Sequence, residues 1–269
     1  MYDFANILLS GPCNLRCRHC IGRQLARRAD RDNLGRFPLA GLERFCRALR
    51  RAGVTQVALT GTDTDPLLYR HHGELLGYLR RHVPGVRVSL HTNGVLALGR
   101  IDLVNSYHRV CVSLPSLRPA TCLLMTGRTR ALDLAALVQQ ATVPLKVSTL
   151  VTRHNVSEVL GLVDRCRELG IRRMVLRRLH VQDDPTAGAE PWRQVLAWLA
   201  DLPVTRAFGG NPVLDAGGVE LTLWDFRRTR VRCLNLFSDG QISPEYRLDR
   251  GACKRPVVLR INGASAGAA

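Results

Sequence analysis

Lysine is nearly missing from this chain. Only Lys146 and Lys254 occur, yet lysine and arginine together number 39 and the formal net charge is +17. A basic excess attracts phosphates, nucleic acids or anionic metabolites, but one carried almost wholly by arginine also reads as a codon-composition bias. The runs Arg27-Arg28, Arg50-Arg51, Arg80-Arg81 and Arg227-Arg228 read as solvated faces. Aromatic residues are scarce at 5%, and no basic stripe is interleaved with them. That disfavours a stacking platform for single-stranded nucleic acid and leaves an anionic small molecule as the expected partner. No apolar run approaches the ~20 residues that span a bilayer, and the first residues lack a basic-then-apolar leader, so a cytoplasmic setting is expected. A disulfide framework fits poorly with the odd count of nine cysteines and the absence of such a leader.

What the chain does have is alternation. Short apolar runs of strand length are separated by segments of helical periodicity, the pattern of βα units and a parallel sheet. Strands are expected at 6–10, 54–59, 86–91, 110–114, 145–151 and 173–179. Helices are expected at 39–52, 70–82, 98–106, 131–140, 155–169 and 192–199. Leu42, Phe45, Cys46 and Leu49 mark the buried face of the first helix. The segment 23–36 reads as irregular. Beyond residue 200 the character changes: 219–226 and 231–237 read as strands, Ser238-Asp239-Gly240 as a hairpin turn, and 241–248 as the return strand. Residues 1–200 are therefore expected to form the core, 201–260 a β-rich extension, and 261–269 a disordered tail.

The chemistry concentrates directly after the first strand, in Ser10-Gly11-Pro12-Cys13-Asn14-Leu15-Arg16-Cys17-Arg18-His19-Cys20. Three cysteines at C-x3-C-x2-C spacing converge on one centre only if the loop wraps around it. Tetrahedral zinc and complete iron–sulfur clusters both need four ligands, so three thiolates leave a position for a substrate or cofactor. His19 as a fourth zinc ligand is awkward, because it lies between two of the cysteines.

This loop resembles the cluster motif of the radical S-adenosylmethionine (SAM) superfamily. The resemblance spans roughly residues 4–200 and implies an α/β fold, a partial (β/α)6 TIM-like barrel with a short C-terminal β-rich extension. It further implies that Cys13, Cys17 and Cys20 hold one 4Fe-4S cluster whose fourth iron is chelated by SAM. An electron, from a donor such as flavodoxin or ferredoxin, then cleaves SAM to methionine and a 5′-deoxyadenosyl radical that abstracts hydrogen from the substrate.

Other positions are assigned by place in that pattern. The stretch Thr60-Gly61-Thr62-Asp63-Thr64-Asp65-Pro66 stands where the family carries Gly-Gly-Glu-Pro, so Gly61, Thr62, Asp63, Thr64 and Asp65 are candidates for the SAM amino group. A capping turn is the competing reading of the same residues. His91-Thr92-Asn93-Gly94 resembles the Thr-Asn-Gly of the third strand end, which adds Thr92 and Asn93. Ser113, Ser148 and Arg153 are further SAM candidates, Arg153 through its planar fork. Lys146 lies at a strand edge or points inward at an anion. Of Arg177 and Arg178, alternation turns one inward as a substrate anion clamp. Cys46, Cys111 and Cys166 fit buried positions, Cys253 lies too far from Cys233 for a second cluster, and Cys233 or Cys122 is a candidate hydrogen-atom donor.

The core most resembles the branch containing the molybdenum-cofactor cyclase. The ending Cys233-Leu234-Asn235-Leu236-Phe237-Ser238-Asp239-Gly240 resembles compact nucleoside-antibiotic enzymes such as cytosylglucuronate decarboxylase. The expected substrate is a small anionic metabolite, nucleoside- or sugar-derived, from natural-product biosynthesis; decarboxylation, epimerisation, dehydration and sulfur insertion all remain open. Two rivals stand beside it. A peptide-modifying radical SAM enzyme would carry a peptide-recognition domain or a cysteine-rich tail, and a zinc- and RNA-binding protein would not need six βα units.

Overall fold

The computed structural model describes residues 2–24, 32–129, 131–181, 184, 186–248 and 257–259. Arg27-Arg28, Cys253 and the expected tail at 261–269 lie outside the described residues. The alternation of the sequence is realised as β1 (Phe4–Leu9), α1 (Leu42–Ala52), β2 (Gln56–Gly61), α2 (His72–His82), β3 (Arg87–Thr92), α3 (Ile101–Asn105), β4 (Arg109–Ser113), α4 (Pro119–Thr126), α5 (Leu134–Gln140), β5 (Leu145–Val151), α6 (Val159–Glu168), β6 (Arg173–Arg178) and α7 (Ala189–Trp198). Each of the six strands pairs in parallel with the next. Helix α1 shows why the pattern folds this way. Leu42, Phe45, Cys46 and Leu49 are buried on one face, and Gly53 ends the helix at φ 65, a left-handed conformation that suits glycine.

The extension does not stand apart from the core. After the hairpin β7 (Val204–Phe208) and β8 (Asn211–Asp215) come β9 (Glu220–Trp224), β10 (Cys233–Leu236) and β11 (Ile242–Ser243). The sheet order is β11-β10-β1-β2-β3-β4-β5-β6-β9-β8-β7. Strand β9 joins β6 in parallel and β10 joins β1 in parallel, so the extension lengthens the barrel at both edges of the core and the sheet stays open. Residue 200 is thus no packing boundary, because Leu234 and Leu236 belong to the same apolar cluster as Ile7 and Phe45. The expected return strand at 241–248 is divided: β11 pairs with β10, while β12 (Tyr246–Leu248) pairs with β13 (Val257–Leu259) in a separate ribbon.

Strand alternation sorts the side chains. Leu221 and Leu223 face the helices and Glu220, Thr222 and Trp224 face the barrel interior; likewise Met174 and Leu176 join the outer core, and Arg173, Val175 and Arg177 line the cavity. The cavity has a volume of about 700 Å³.

Candidate active site

The cysteine loop leaves β1 at the C-terminal ends of the strands, and the end of β2 braces it. Asp63 Oδ1 accepts from Ser10 Oγ at 2.8 Å and from the Gly11 N–H at 3.2 Å, and Thr64 Oγ1 donates to the Pro12 carbonyl at 2.6 Å. Gly61 is required sterically: a Cβ there would stand 1.9 Å from the Thr64 carbonyl oxygen. Asp65 is 2% exposed. Its carboxylate accepts from the Leu67 N–H at 2.9 Å, from Thr92 Oγ1 at 2.9 Å and from the Asn93 N–H at 2.6 Å. Burial nevertheless raises its pKa, against the opposing pull of these donors and of Arg100. Asn93 completes the brace, donating from Nδ2 to Asn14 Oδ1 at 2.7 Å.

Asp65, Thr92 and Asn93 join β2, β3 and the cysteine loop, and all three also line the cavity. The capping reading is realised as well, since Asp65 caps the short turn Pro66–Leu68.

Further round the barrel, Ser113, Ser148, Lys146, His91 and Arg177 all line the cavity. Arg177 Nε donates to Ser148 Oγ at 2.8 Å, so Ser148 serves the arginine. Arg178 turns away. It is 7% exposed and pairs with Asp225 at 3.1 Å, which removes it as a clamp for substrate. Cys233 also lines the cavity, at the opposite end from the cysteine loop. It is 1% exposed and in register with Phe4, at the start of β1, roughly 17 Å of strand away from the cysteine loop; burial pushes its thiol up to about 11. Cys122 is buried in α4, its thiol on the Ser116 carbonyl at 3.2 Å. Arg153 is exposed on the loop after β5, with Nε 3.5 Å from His154 Nε2, and the His154 ring stacks at 6.5 Å on His19 of the cysteine loop.

The cavity has a marked charge character. At its N-terminal end Arg173 and Arg206 share Glu220 at 3.1 and 3.2 Å. Neither Lys146, level with Arg173 in the β5–β6 register, nor Arg177, four residues nearer the C-terminal strand ends, has a carboxylate partner among the described residues. Burial, then Lys146, Arg177 and Arg109, hold His91 well below its ordinary pKa, so its imidazole is neutral. Cys111 favours the charged form of Lys146, but burial and the guanidiniums of Arg177, Arg109 and Arg173 outweigh it and hold the ammonium below its ordinary value. His91 and Trp224 are among the cavity residues that the motifs did not mark. The signal for both was alternation, His91 in phase with Ser89 and Trp224 in phase with Glu220 and Thr222.

The family model described as the Radical SAM superfamily matches residues 7–184. The chain belongs to that superfamily. Among curated relatives, GTP 3′,8-cyclase 2 of Mycobacterium tuberculosis H37Rv is 32% identical over 203 residues, covering 72% of this chain and 54% of its own length. GTP 3′,8-cyclase of Syntrophomonas wolfei is 29% identical over 177 residues, covering 62% of this chain and 52% of its own. The chain thus spans about half the length of the curated relatives it matches. Streptococcus suis SuiB bound to S-adenosylmethionine superposes with a TM-score of 0.64 at 16% identity, over 90% of this chain and 60% of that one. Native anSMEcpe with bound AdoMet gives 0.52 at 16%, over 74% and 60%. Likeness at that identity bears on the fold alone, and it is the partial barrel.

Membership in the radical SAM superfamily implies a 4Fe-4S cluster and SAM, and the residues present fit both. Cys13, Cys17 and Cys20 are in no disulfide among the described residues, and all are at least partly open to solvent. Among the described residues no three Cys, His, Asp or Glu side chains gather tightly enough for a single metal ion. A cubane takes one thiolate per iron and so needs its ligands spread wider than a zinc knuckle does. Burial raises the Cys13 thiol, with Asp65 and Cys20 adding to it against the Leu15 N–H, so binding as thiolate releases a proton. In and beside this loop, Asn14 Nδ2 and Thr62 Oγ1 are buried without a hydrogen-bond partner among the described residues. Buried polar atoms are rarely left so, and a polar cofactor would satisfy them. No helix among the described residues is long and apolar enough to cross a membrane.

Proposed function

We propose that this radical SAM enzyme acts on a small anionic metabolite held inside the barrel, with one cluster on Cys13, Cys17 and Cys20. The observation that carries the reading is the pair Lys146 and Arg177, two cations lining an interior cavity with no carboxylate partner among the described residues. Cations taken out of water need a counter-charge, and a guanidinium in such a place favours a carboxylate or phosphate in bidentate geometry. The bound cluster and SAM supply one-electron reduction and hydrogen-atom abstraction. The chain's own residues divide the remaining work. The 61–65 turn and Asn93 fix the cysteine loop, and Thr62 and Asn14 offer polar atoms to SAM. Ser113 lines the mouth, and Arg153 stands outside it as a partner for the SAM carboxylate. Arg177, steadied by Ser148, holds the substrate anion, and neutral His91 can accept or donate a hydrogen bond beside it. A nucleoside- or sugar-derived intermediate fits this cavity, a one-electron carrier such as flavodoxin or ferredoxin fits the chemistry, and a cytoplasmic setting fits the free thiols.

The test uses the anaerobically reconstituted enzyme, with 5′-deoxyadenosine formation followed as candidate substrates are added. Anionic compounds should stimulate it and their neutral analogues should not. Arg177→Lys should reduce the substrate-stimulated rate by about 10- to 100-fold, the scale of one charge-assisted hydrogen bond. Equal stimulation by neutral analogues, or a wild-type rate in Arg177→Lys, would overturn the anionic reading.

A further inference from the structure

At the middle of β4 stands a thiol that faces the cavity. Val110 and Val112 belong to the apolar core behind the sheet, so alternation turns Cys111 inward, where it lines the cavity wall. Its register partners are His91 on β3 and Lys146 on β5, and both line the same cavity. Adjacent strands stand about 4.8 Å apart, so imidazole, thiol and ammonium form one row across three strands. A buried cysteine usually fills apolar space. This one is 4% exposed between two polar neighbours, and its sulfur makes no hydrogen bond among the described residues. That sulfur is the strongest single electrostatic influence on the Lys146 ammonium. The other cysteines outside the loop are placed differently. Cys46 and Cys166 pack in the core clusters behind the sheet, Cys122 is held on Ser116, and the Cys233 sulfur lies 3.6 Å from Asn235 Oδ1.

The position of Cys111 relative to the cysteine loop gives the thiol its meaning. It lies two residues before the end of β4 at Ser113, about 7 Å below the strand ends, and β4 is three strands round the sheet from β1. Ser148, which steadies Arg177, stands one inward position above Lys146. An anion held by Arg177 and Lys146 therefore lies beside Cys111, with the cysteine loop across the mouth from it.

We propose that Cys111 is a catalytic residue, the hydrogen-atom donor that quenches the substrate radical. The inference rests on the anionic reading above and adds the fate of the radical. Hydrogen leaves the substrate towards the mouth and departs in 5′-deoxyadenosine. Its replacement comes from the opposite wall: the Cys111 S–H bond breaks, a substrate C–H bond forms, and the sulfur keeps the unpaired electron. A second electron from the ferredoxin- or flavodoxin-type carrier and a proton from the Lys146 ammonium restore the thiol, and solvent reprotonates Lys146. An S–H bond is weaker than the C–H bond it makes, which is true of no bond that His91 or Lys146 could offer. Removal and return on different sides invert the carbon, so the reaction is an epimerisation.

The test incubates the reconstituted holoenzyme with SAM and dithionite in D2O, with glucuronate, glucose 6-phosphate, UMP and CMP as probes. A probe that stimulates 5′-deoxyadenosine formation should be recovered with a single carbon-bound deuterium and inverted at that carbon, by mass spectrometry and NMR. Cys111→Ser should still form 5′-deoxyadenosine but lose the deuterated epimer, and Cys111→Ala repeats the test should serine disturb the wall. Without turnover, iodoacetate should carboxymethylate Cys111 in the holoenzyme, read by peptide mass spectrometry, and should label it more slowly in Lys146→Met. Three results would each overturn the thiol donor and leave the anionic reading standing: a deuterated epimer that persists in both Cys111 variants, stimulation without deuterium in the probe, or a Cys111 that iodoacetate does not reach. Stimulation by none of the probes would overturn both.

Discussion

Asp65 shows how a residue marked by a motif can also fasten the fold. Its position beside Pro66 invites a direct SAM contact, and three donors surround its carboxylate and tie β2 to β3. Asp65→Ala should therefore lower stability by on the order of 3 kcal/mol, since it strands several buried donors. Thermal melting reads this, and unchanged melting with weakened SAM binding would leave only the direct role. His72 makes a second prediction at this scale. It is 4% exposed and its Nδ1 pairs with the Tyr107 hydroxyl. Burial, helped by Arg100, lowers its pKa from 6.5 to about 4. The unfolded chain takes up that proton near pH 6.5 and the folded chain resists it until about 4. Between those values the unfolded state binds more protons, so stability rises with pH and is lost on acidification. The loss should reach roughly 3 kcal/mol below pH 4 and should flatten in His72→Gln. A wild-type slope in that variant would assign the acid sensitivity to other groups. What the sequence made legible here was residue type and place. Partnerships such as Asp63 with Ser10, 53 positions apart, are set by the fold and leave no local trace.

At the scale of elements, periodicity located the strands well because each is bounded by turn residues and buries an apolar outer face. Strand β5 runs Leu145–Val151, the expected range. The β7–β8 hairpin escaped because β7 is exposed along its whole length and so carries no buried alternation; the signal was Gly209-Gly210, with φ of 53 and 81, which suits a tight hairpin turn. Helix α4 escaped because its hydrophobic residues are not confined to one face: Leu123 and Leu124 are exposed while Cys122 and Met125 are buried. The joint between β6 and β9 rests on a buried ion pair, Arg178 with Asp225, each side chain 8% exposed. Arg178→Met should cost less than the about 3–5 kcal/mol of a fully broken buried pair, because Arg227 still reaches Asp225 at 3.2 Å, and adding Asp225→Leu should recover part of it. A double mutant no more stable than Arg178→Met, by chemical denaturation, would show that the pair does not fasten these strands.

Taken whole, the molecule is an open parallel barrel whose C-terminal strand ends carry a braced three-cysteine loop, above a cavity with a basic side and an aromatic side. Strands β9 and β10 were readable as strands but not as members of the barrel, because parallel pairing of β10 with β1 joins residues some 229 positions apart, beyond any local pattern. The account turns on the cysteine loop. The most direct measurement is iron and acid-labile sulfide per chain after anaerobic reconstitution, taken on wild type and on the triple variant Cys13→Ala, Cys17→Ala, Cys20→Ala, with the absorption near ~400 nm of a thiolate-bound cluster. The account predicts about four irons and four sulfides in wild type and neither in the variant. Full loading of the variant, or zinc in place of iron in the wild type, would contradict it.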